Sequence, residues 1–475
     1  MSRLAGALAA ALAAAAPAAA APPAAWAGTC ADAPCSRQGT VDGPASIASA
    51  PLWVSTTSSA ARSVVRATAA AFSSTGDLLV SADASCTLAG VCFATTTLAG
   101  ATGAQSLAEL YASVGFPTTY QFGVPAVLTP GPAGVVVSGR GWRFDNGSYA
   151  GALLGADAST GVLLWSTVAP GGLFGDLATP TSADGSSLGE GLVYALWSEG
   201  NTLLALNATT GARVSALAMG APGHGPRGPP EVLDRKLTLA ANGSALCVLD
   251  SAGGVGAASA TGVDLALGKP AVSWAVAGFV PPTLSTGVAK LAADAATSAL
   301  LLANGSGLSS LRDDSGAAAW TSPFPDAIAD SDRLGLAVDR APDGAAFVFA
   351  SQAPPGSGSS GAPVLYAFSK ATGALLARTD FNSTQDYIKW GDSLVLGASG
   401  GALYVSLLGP NVAPPPAQGG TVYLARVPFS GDAFGDAEIA ALPPALQAGQ
   451  PLLALGPAAG QLTVAVADAV GVIDR

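Results

Sequence analysis

The sequence predicts an all-β fold: an eight-bladed β-propeller of four-stranded antiparallel blades, its ring closed by N- and C-terminal strands, with seven blades as the alternative count. Three observations predict it. A strand-turn-strand phrase recurs along the chain, its turn glycines are evenly spaced, and the composition suits short strands. The phrase is clearest in Ala156-Asp157-Ala158-Ser159-Thr160-Gly161-Val162-Leu163-Leu164-Trp165, where a polar turn ending in glycine separates two apolar strands. The turn glycines Gly103, Gly161, Gly211, Gly268, Gly316, Gly373 and Gly431 lie 58, 50, 57, 48, 57 and 58 residues apart. A unit of about 55 residues with about four short strands is the size of a propeller blade. With 60 Gly and 34 Pro in 475 residues, the chain favours turns over long helices.

Seven turns give seven units, and the termini supply the eighth. Residues 470–475 match the strand before a turn, and the chain then ends. Ala50-Pro51-Leu52-Trp53 reads as the missing last strand, so Trp53 is expected to complete the final blade and remove a free sheet edge. Trp165, Trp274 and Trp320 hold the corresponding position in other units.

Charge narrows the function. Only 11% of residues are charged and the net charge is −11, which argues against nucleic acid and anionic membrane surfaces as partners. Residues 1–27 read as a signal peptide: Arg3, an Ala/Leu run broken by prolines, then Ala25-Trp26-Ala27. Residues 28–49 form an N-terminal extension and 50–475 the propeller. Five of the seven asparagines begin Asn-x-Ser/Thr: Asn146, Asn207, Asn242, Asn304 and Asn382. That excess points to N-glycosylation, and with the leader to secretion or a secretory-pathway lumen. The locally spaced Cys30 with Cys35 and Cys86 with Cys92 suit disulfides in an oxidising compartment, leaving Cys247 as a buried thiol.

The phrase Ala-x-Asp/Asn-x-x-Thr-Gly-x-x-x-Trp resembles the tryptophan-docking repeat of the pyrroloquinoline-quinone (PQQ) type propellers, the quinoprotein alcohol dehydrogenase-like superfamily. The resemblance covers about residues 50–475 and is best at Gly161 and Gly211, although Ser215 and Ala377 replace the tryptophan after Gly211 and Gly373. It implies a structural role for Trp53, Trp165, Trp274 and Trp320, each wedged between neighbouring blades. It also implies, in the dehydrogenases, a quinone on the propeller axis over a tryptophan, under an adjacent-cysteine disulfide and beside calcium. This chain has no Cys-Cys dipeptide, and only Asn201 and Asn411 lie outside sequons to serve as amide ligands.

Other catalytic constellations are poorly supplied. His224 is the only histidine and sits in a Gly/Pro-rich loop, so nucleophile-base triads have one candidate base at most. The acidic stretch Asp326, Asp330, Asp332, Asp339 and Asp343 lacks the order of a calcium loop, and residues 356–361 lack the lysine and helix of a phosphate cradle. The expected function is therefore a secreted, monomeric, N-glycosylated binding or scaffold propeller without cofactor, engaging a protein or glycan partner. The alternative is a PQQ- and calcium-dependent oxidoreductase of alcohols or sugars. Trp142, Trp197 and Trp390, outside the docking phrase, are the aromatics to inspect for glycan binding.

Overall fold

The computed structural model describes residue 38, residues 41–48, residue 50 and, from 51 to 474, the strands with those connections that are named below. The chain is all-β. After β1 (Pro51–Thr56) comes a three-stranded sheet of β2 (Arg62–Phe72), β3 (Leu78–Cys86) and β4 (Cys92–Leu98). Five four-stranded antiparallel sheets follow in chain order. The first is β5 (Tyr120–Leu128), β6 (Val135–Arg143), β7 (Tyr149–Asp157) and β8 (Leu163–Pro170). The second is β9 (Phe174–Ala178), β10 (Leu192–Trp197), β11 (Thr202–Asn207) and β12 (Arg213–Ala218). The third is β13 (Lys236–Leu239), β14 (Ala245–Asp250), β15 (Ser259–Asp264) and β16 (Ala271–Ala277). The fourth is β17 (Lys290–Asp294), β18 (Ala299–Asn304), β19 (Gly307–Arg312) and β20 (Ala318–Pro323), and the fifth β21 (Gly335–Val338), β22 (Ala345–Ser351), β23 (Pro363–Ser369) and β24 (Leu375–Asp380). A five-stranded sheet holds β25 (Leu394–Leu396), β26 (Ala402–Leu408), β27 (Val422–Ser430), β28 (Ala433–Phe434) and β29 (Glu438–Ala441). The sixth four-stranded sheet joins β30 (Leu452–Leu455), β31 (Gln461–Ala465) and β32 (Ala469–Asp474) to β1, which pairs antiparallel with β32.

Among the described residues six four-stranded antiparallel blades are thus present, which corrects the expectation of eight, or of seven. The physical reason can be read at one of the two weakest copies of the turn phrase, Gly431. Beyond β4 the turn expected at Gly103 falls outside the described residues, and its sheet has three strands. At Gly431 the turn is of another kind: Gly431 (φ 55°) and Asp432 (φ 63°) both adopt positive φ in a two-residue hairpin, and Ser430 pairs with Ala433. The chain turns back sooner there, so the outer strand is split into β28 and β29, both paired with β27. The innermost strands β2, β5, β9, β13, β17, β21, β25 and β30 contact one another in succession, and β30 contacts β2.

Burial follows from this stacking. The middle strands lie between neighbouring sheets on both faces, so Leu203-Leu204-Ala205-Leu206 in β11, Ala299–Asn304 in β18 and Ala345–Ser351 in β22 are buried without alternation. The outermost strands β12 and β20 instead alternate between exposed and half-buried residues. Small residues let the sheets approach: Ala195, Ala205, Ala303, Ala346 and Ala367 are wholly buried.

The segment before β1 is sewn onto the propeller. Gln38 donates its amide to Asp339 Oδ1 and to the carbonyls of Gly397 and Ala398, and accepts from Arg340 N. Asp42 accepts from Ser399 N and through its carbonyl from Gly460 N, Ser46 bonds Glu438, and Ile47 enters the core beside Leu78, Leu446 and Leu453. Residues 38–48 thereby bridge the β21–β22, β25–β26 and β30–β31 turns.

One lysine links the same face. Lys370, in the turn after β23, has no exposed side-chain surface, nor has its partner Asp294. Its Nζ donates to Asp294 Oδ1 (3.0 Å), Asp339 O (2.5 Å) and Ala341 O (2.7 Å), which uses all three ammonium hydrogens. Asp294 also accepts from Ala296 N and Thr297 Oγ1. Removing one partner would leave a buried charge uncompensated. Lys370→Met is therefore expected to lower unfolding free energy in urea by about 3–5 kcal/mol, and Lys370→Met with Asp294→Leu to regain most of it. A double variant no more stable than the single would contradict this account.

Candidate functional site

Site geometry starts in the turn between the third and fourth strands of a blade. Asn207 N bonds Ala212 O (2.8 Å) and Gly211 N bonds Asn207 O (2.8 Å). The same pair of bonds closes the turns at Gly316 and Gly373. Gly211, Gly316 and Gly373 take φ of 68°, 67° and 73°, a region open to glycine and costly for other residues. Just beyond the turn the register slips in five blades, between Gly155/Ala156, Ala205/Leu206, Gly262/Val263, Ser310/Leu311 and Ala367/Phe368. Each slip is a bulge in the outer strand. The residue after it is the docking position: Trp165 opposite Gly155, Ser215 opposite Ala205, Trp274 opposite Gly262, Trp320 opposite Ser310, Ala377 opposite Ala367.

Two docking tryptophans are described in full, and each lies against the turn glycine of the next blade. A Cβ on Gly211 would stand 2.5 Å from Trp165 Cδ2, and one on Gly373 2.5 Å from Trp320 Cε3. Trp165 Nε1 donates to Ala208 O (2.5 Å), and Trp320 Nε1 to Lys370 O (3.0 Å). Gly155 of its own blade lies on the Trp165 ring as well. Trp53 is half-buried and packs beside Leu453 and Ile473 of the terminal core.

Between the β5–β8 and β9–β12 blades the interblade space is left partly open. A cleft of about 380 Å³ lies there, floored by Leu153, Leu204 and Leu206, with Phe174 and Trp197 at one end and Arg213 at the other. Phe174 and Trp197 meet edge to face at 5.1 Å. Residues at equivalent register positions fill this space elsewhere. Relative to the docking position, Leu204 and Ala216 correspond to Tyr366 and Arg378, and Leu206 to Phe368. In that blade Tyr366 stacks on Phe324 (5.3 Å), Phe368 packs on both rings, and Arg378 and the Tyr366 hydroxyl bond Asp326. Burial and the Asp326 carboxylate push the Tyr366 phenol far above its ordinary range. Leucine and alanine leave the corresponding volume unfilled beside β11. Trp197 Nε1, on the cleft wall, is buried without an acceptor.

The rim beside the cleft is apolar. Val162 (59% exposed), Leu163, Leu164 and Val214 (54%) sit at the starts of the outer strands β8 and β12. β8 is the last strand of its sheet and pairs only with β7.

Several expected site residues lie outside the described residues: Cys30, Cys35, Asn146, Gly161, His224, Asn242, Gly268, Asn382, Trp390 and residues 356–361. The strands contain Cys86, Cys92, Trp142, Cys247 and Trp274, whose side chains are not described; by register Cys92 pairs with Ala84 and Cys86 with Arg62. Within the acidic stretch, Asp326 bonds Tyr366 and Arg378 while Asp339 bonds Gln38 and Ala341 N. Among the described residues no three His, Cys, Asp or Glu side chains come together. Lys370, the cleft and its rim were missed by sequence reasoning. The one available signal was Arg213 two residues after a turn glycine.

Comparison with known proteins gives fold-level likeness. No family model matches the chain, and no curated protein matches it. Among solved structures it is similar to BamB from Moraxella catarrhalis (14% identity, 82% of this chain and 94% of that chain, TM-score 0.46). It is also similar to the WD40 domain of SCAP from fission yeast (10%, 89% and 98%, TM-score 0.49) and the quinohemoprotein alcohol dehydrogenase from Comamonas testosteroni (11%, 94% and 80%, TM-score 0.42).

The docking contact is testable against a built-in control. Gly191 also has positive φ (78°), but beyond its chain neighbours no atom lies within 4 Å of the place a Cβ would take there, whereas Gly373 faces the Trp320 ring and the Ser322 hydroxyl. Gly191→Ala is expected to cost about 1 kcal/mol of backbone strain, and Gly373→Ala about 3 kcal/mol or more, by urea unfolding. Equal losses would mean that the ring contact contributes nothing.

Proposed function

We propose that this chain is a secreted, N-glycosylated binding propeller that holds a protein partner on its outer rim. The observation that carries the reading is the exposed apolar row Val162, Leu163 and Leu164, repeated by exposed Val214 at the equivalent bulge of the next blade, on a molecule with few charges. An exposed apolar row on a rigid strand scaffold is a surface suited to association, and the far edge of β8 adds backbone groups that a partner strand can pair with. The leader-like residues 1–27 and the five sequons support the secretory route.

A photo-crosslinking residue at Leu164, in protein expressed through a secretory host together with candidate extracellular partners, tests the rim. A discrete cross-linked protein is expected, lost when Val162→Asp and Val214→Asp are combined. The same products from a control position at Asp314, an exposed turn of another blade, would overturn the reading. Glycan mapping tests the secretory part. Both Asn304 and Asn207 accept turn N–H groups through Oδ1, but Asn304 is only 8% exposed, so a glycan on its Nδ2 has no room beside the β18–β19 turn. Asn207, in an exposed turn, is expected to be occupied and Asn304 bare. A bare Asn207 in secreted protein would remove that support.

A further inference from the structure

We propose that the cleft between the β5–β8 and β9–β12 blades is a binding site for a small aromatic monocarboxylate. Shape sets the size of the ligand. The cleft follows β11 from Thr202 to Leu206, four residue steps or about 13 Å, and its volume of about 380 Å³ suits a two-ring molecule. Its floor is leucine, and at one end the partly exposed Trp197, backed edge to face by the buried Phe174, offers an indole for ring contact.

Charge sets the head group. Arg213 is the one charged residue among the described lining residues, and no carboxylate stands beside it there. No ion pair to Arg213 occurs among the described residues, in contrast to Arg378, which bonds both Asp326 and Asp380 at the filled blade. A guanidinium presents a planar fork that matches one carboxylate. Arg213 pairs in register with Leu206, at the opposite end of β11 from Trp197 and Thr202. A ligand with its rings against Trp197 therefore carries its carboxylate to Arg213. One cation and no second basic lining residue favour a monoanion over a phosphate or polyanion.

The repeat itself supplies the contrast. Where the equivalent positions hold Tyr366, Phe368 and Arg378 the space is occupied by the protein's own rings and guanidinium. Leu204, Leu206 and Ala216 leave the ring volume to be completed from outside, while Arg213, which stands where the filled blade has Leu375, supplies a cation of its own.

Biphenyl-4-carboxylate is the probe, with biphenyl-4-carboxamide as its uncharged isostere, titrated calorimetrically into the full chain. Saturable binding of the carboxylate is expected, about tenfold or more tighter than the amide. Arg213→Gln should weaken the acid about tenfold and leave the amide unchanged. Leu204→Tyr with Leu206→Phe, copying the filled blade, should abolish binding with no loss of thermal stability. Arg213→Gln leaves the core untouched and so keeps the test valid if the double variant misfolds. Absence of saturable binding to the native chain at about 1 mM probe, equal affinity for acid and amide, or binding unchanged in a folded double variant would each overturn the proposal.

Discussion

A glycine held at positive φ beneath an indole ring is the contact on which the rest of this propeller depends. Gly211 and Gly373 close their turns only because they lack a side chain, and the space that a Cβ would take is filled by Trp165 and Trp320 of the preceding blade. One residue type thus satisfies a backbone demand and an interblade packing demand at once. The bulge before each docking position belongs to the same device, since the extra residue turns the next side chain toward the neighbour. Burying most of an indole contributes a few kcal/mol per contact, more than any surface ion pair here. Arg312 and Asp314, both more than half exposed, illustrate the weaker kind.

The polar links serve another end. Lys370, Asp294 and Gln38 place charged and amide groups in buried positions, where their net contribution to stability is small and the penalty for a missing partner large. Such groups discriminate between arrangements. Lys370 accepts only a geometry in which the β17–β18 and β21–β22 turns present their oxygens together, and Gln38 only one in which the β25–β26 turn is also in place. Apolar interblade faces rich in alanine can slide past one another at little cost. These directional contacts, concentrated on one face, fix the register that the faces leave loose.

The sequence made the repeat legible because its turn needs glycine, and a required residue at regular spacing is visible in one dimension. Gly211, Gly316 and Gly373 are in the conformation that the phrase demands. The blade count was not legible for the same reason: Gly431 is also a turn glycine, but with Asp432 it builds a shorter hairpin, and spacing does not distinguish the two turns. Gln38 was out of reach because its partners lie about 300 or more residues away and no local pattern marks them. Nothing local marks Lys370, since a lysine between Ser369 and Ala371 in a polar turn is ordinarily exposed. Only the neighbouring blade's carboxylate shows otherwise.

The interblade cleft follows from the geometry of a ring. Blades radiating from a common axis diverge outward, so the wedge between outer strands must be filled by large side chains or left open. At the turn end Trp165 fills it. Farther along β8 and β12 the residues are Thr167 and Ala216, too short to meet across the gap, and the leucines beneath them form a floor rather than a plug. The wedge beside β23 carries the same backbone and is filled, because tyrosine, phenylalanine and arginine stand where leucine and alanine stand beside β11. Stability alone would favour filling both, since apolar surface left facing water forgoes about 25 cal/mol per Å². An open wedge floored by leucine, with Arg213 at its end, therefore sacrifices packing at one position of a repeat that elsewhere fills it, which is the pattern expected where a scaffold gives up stability for a binding surface.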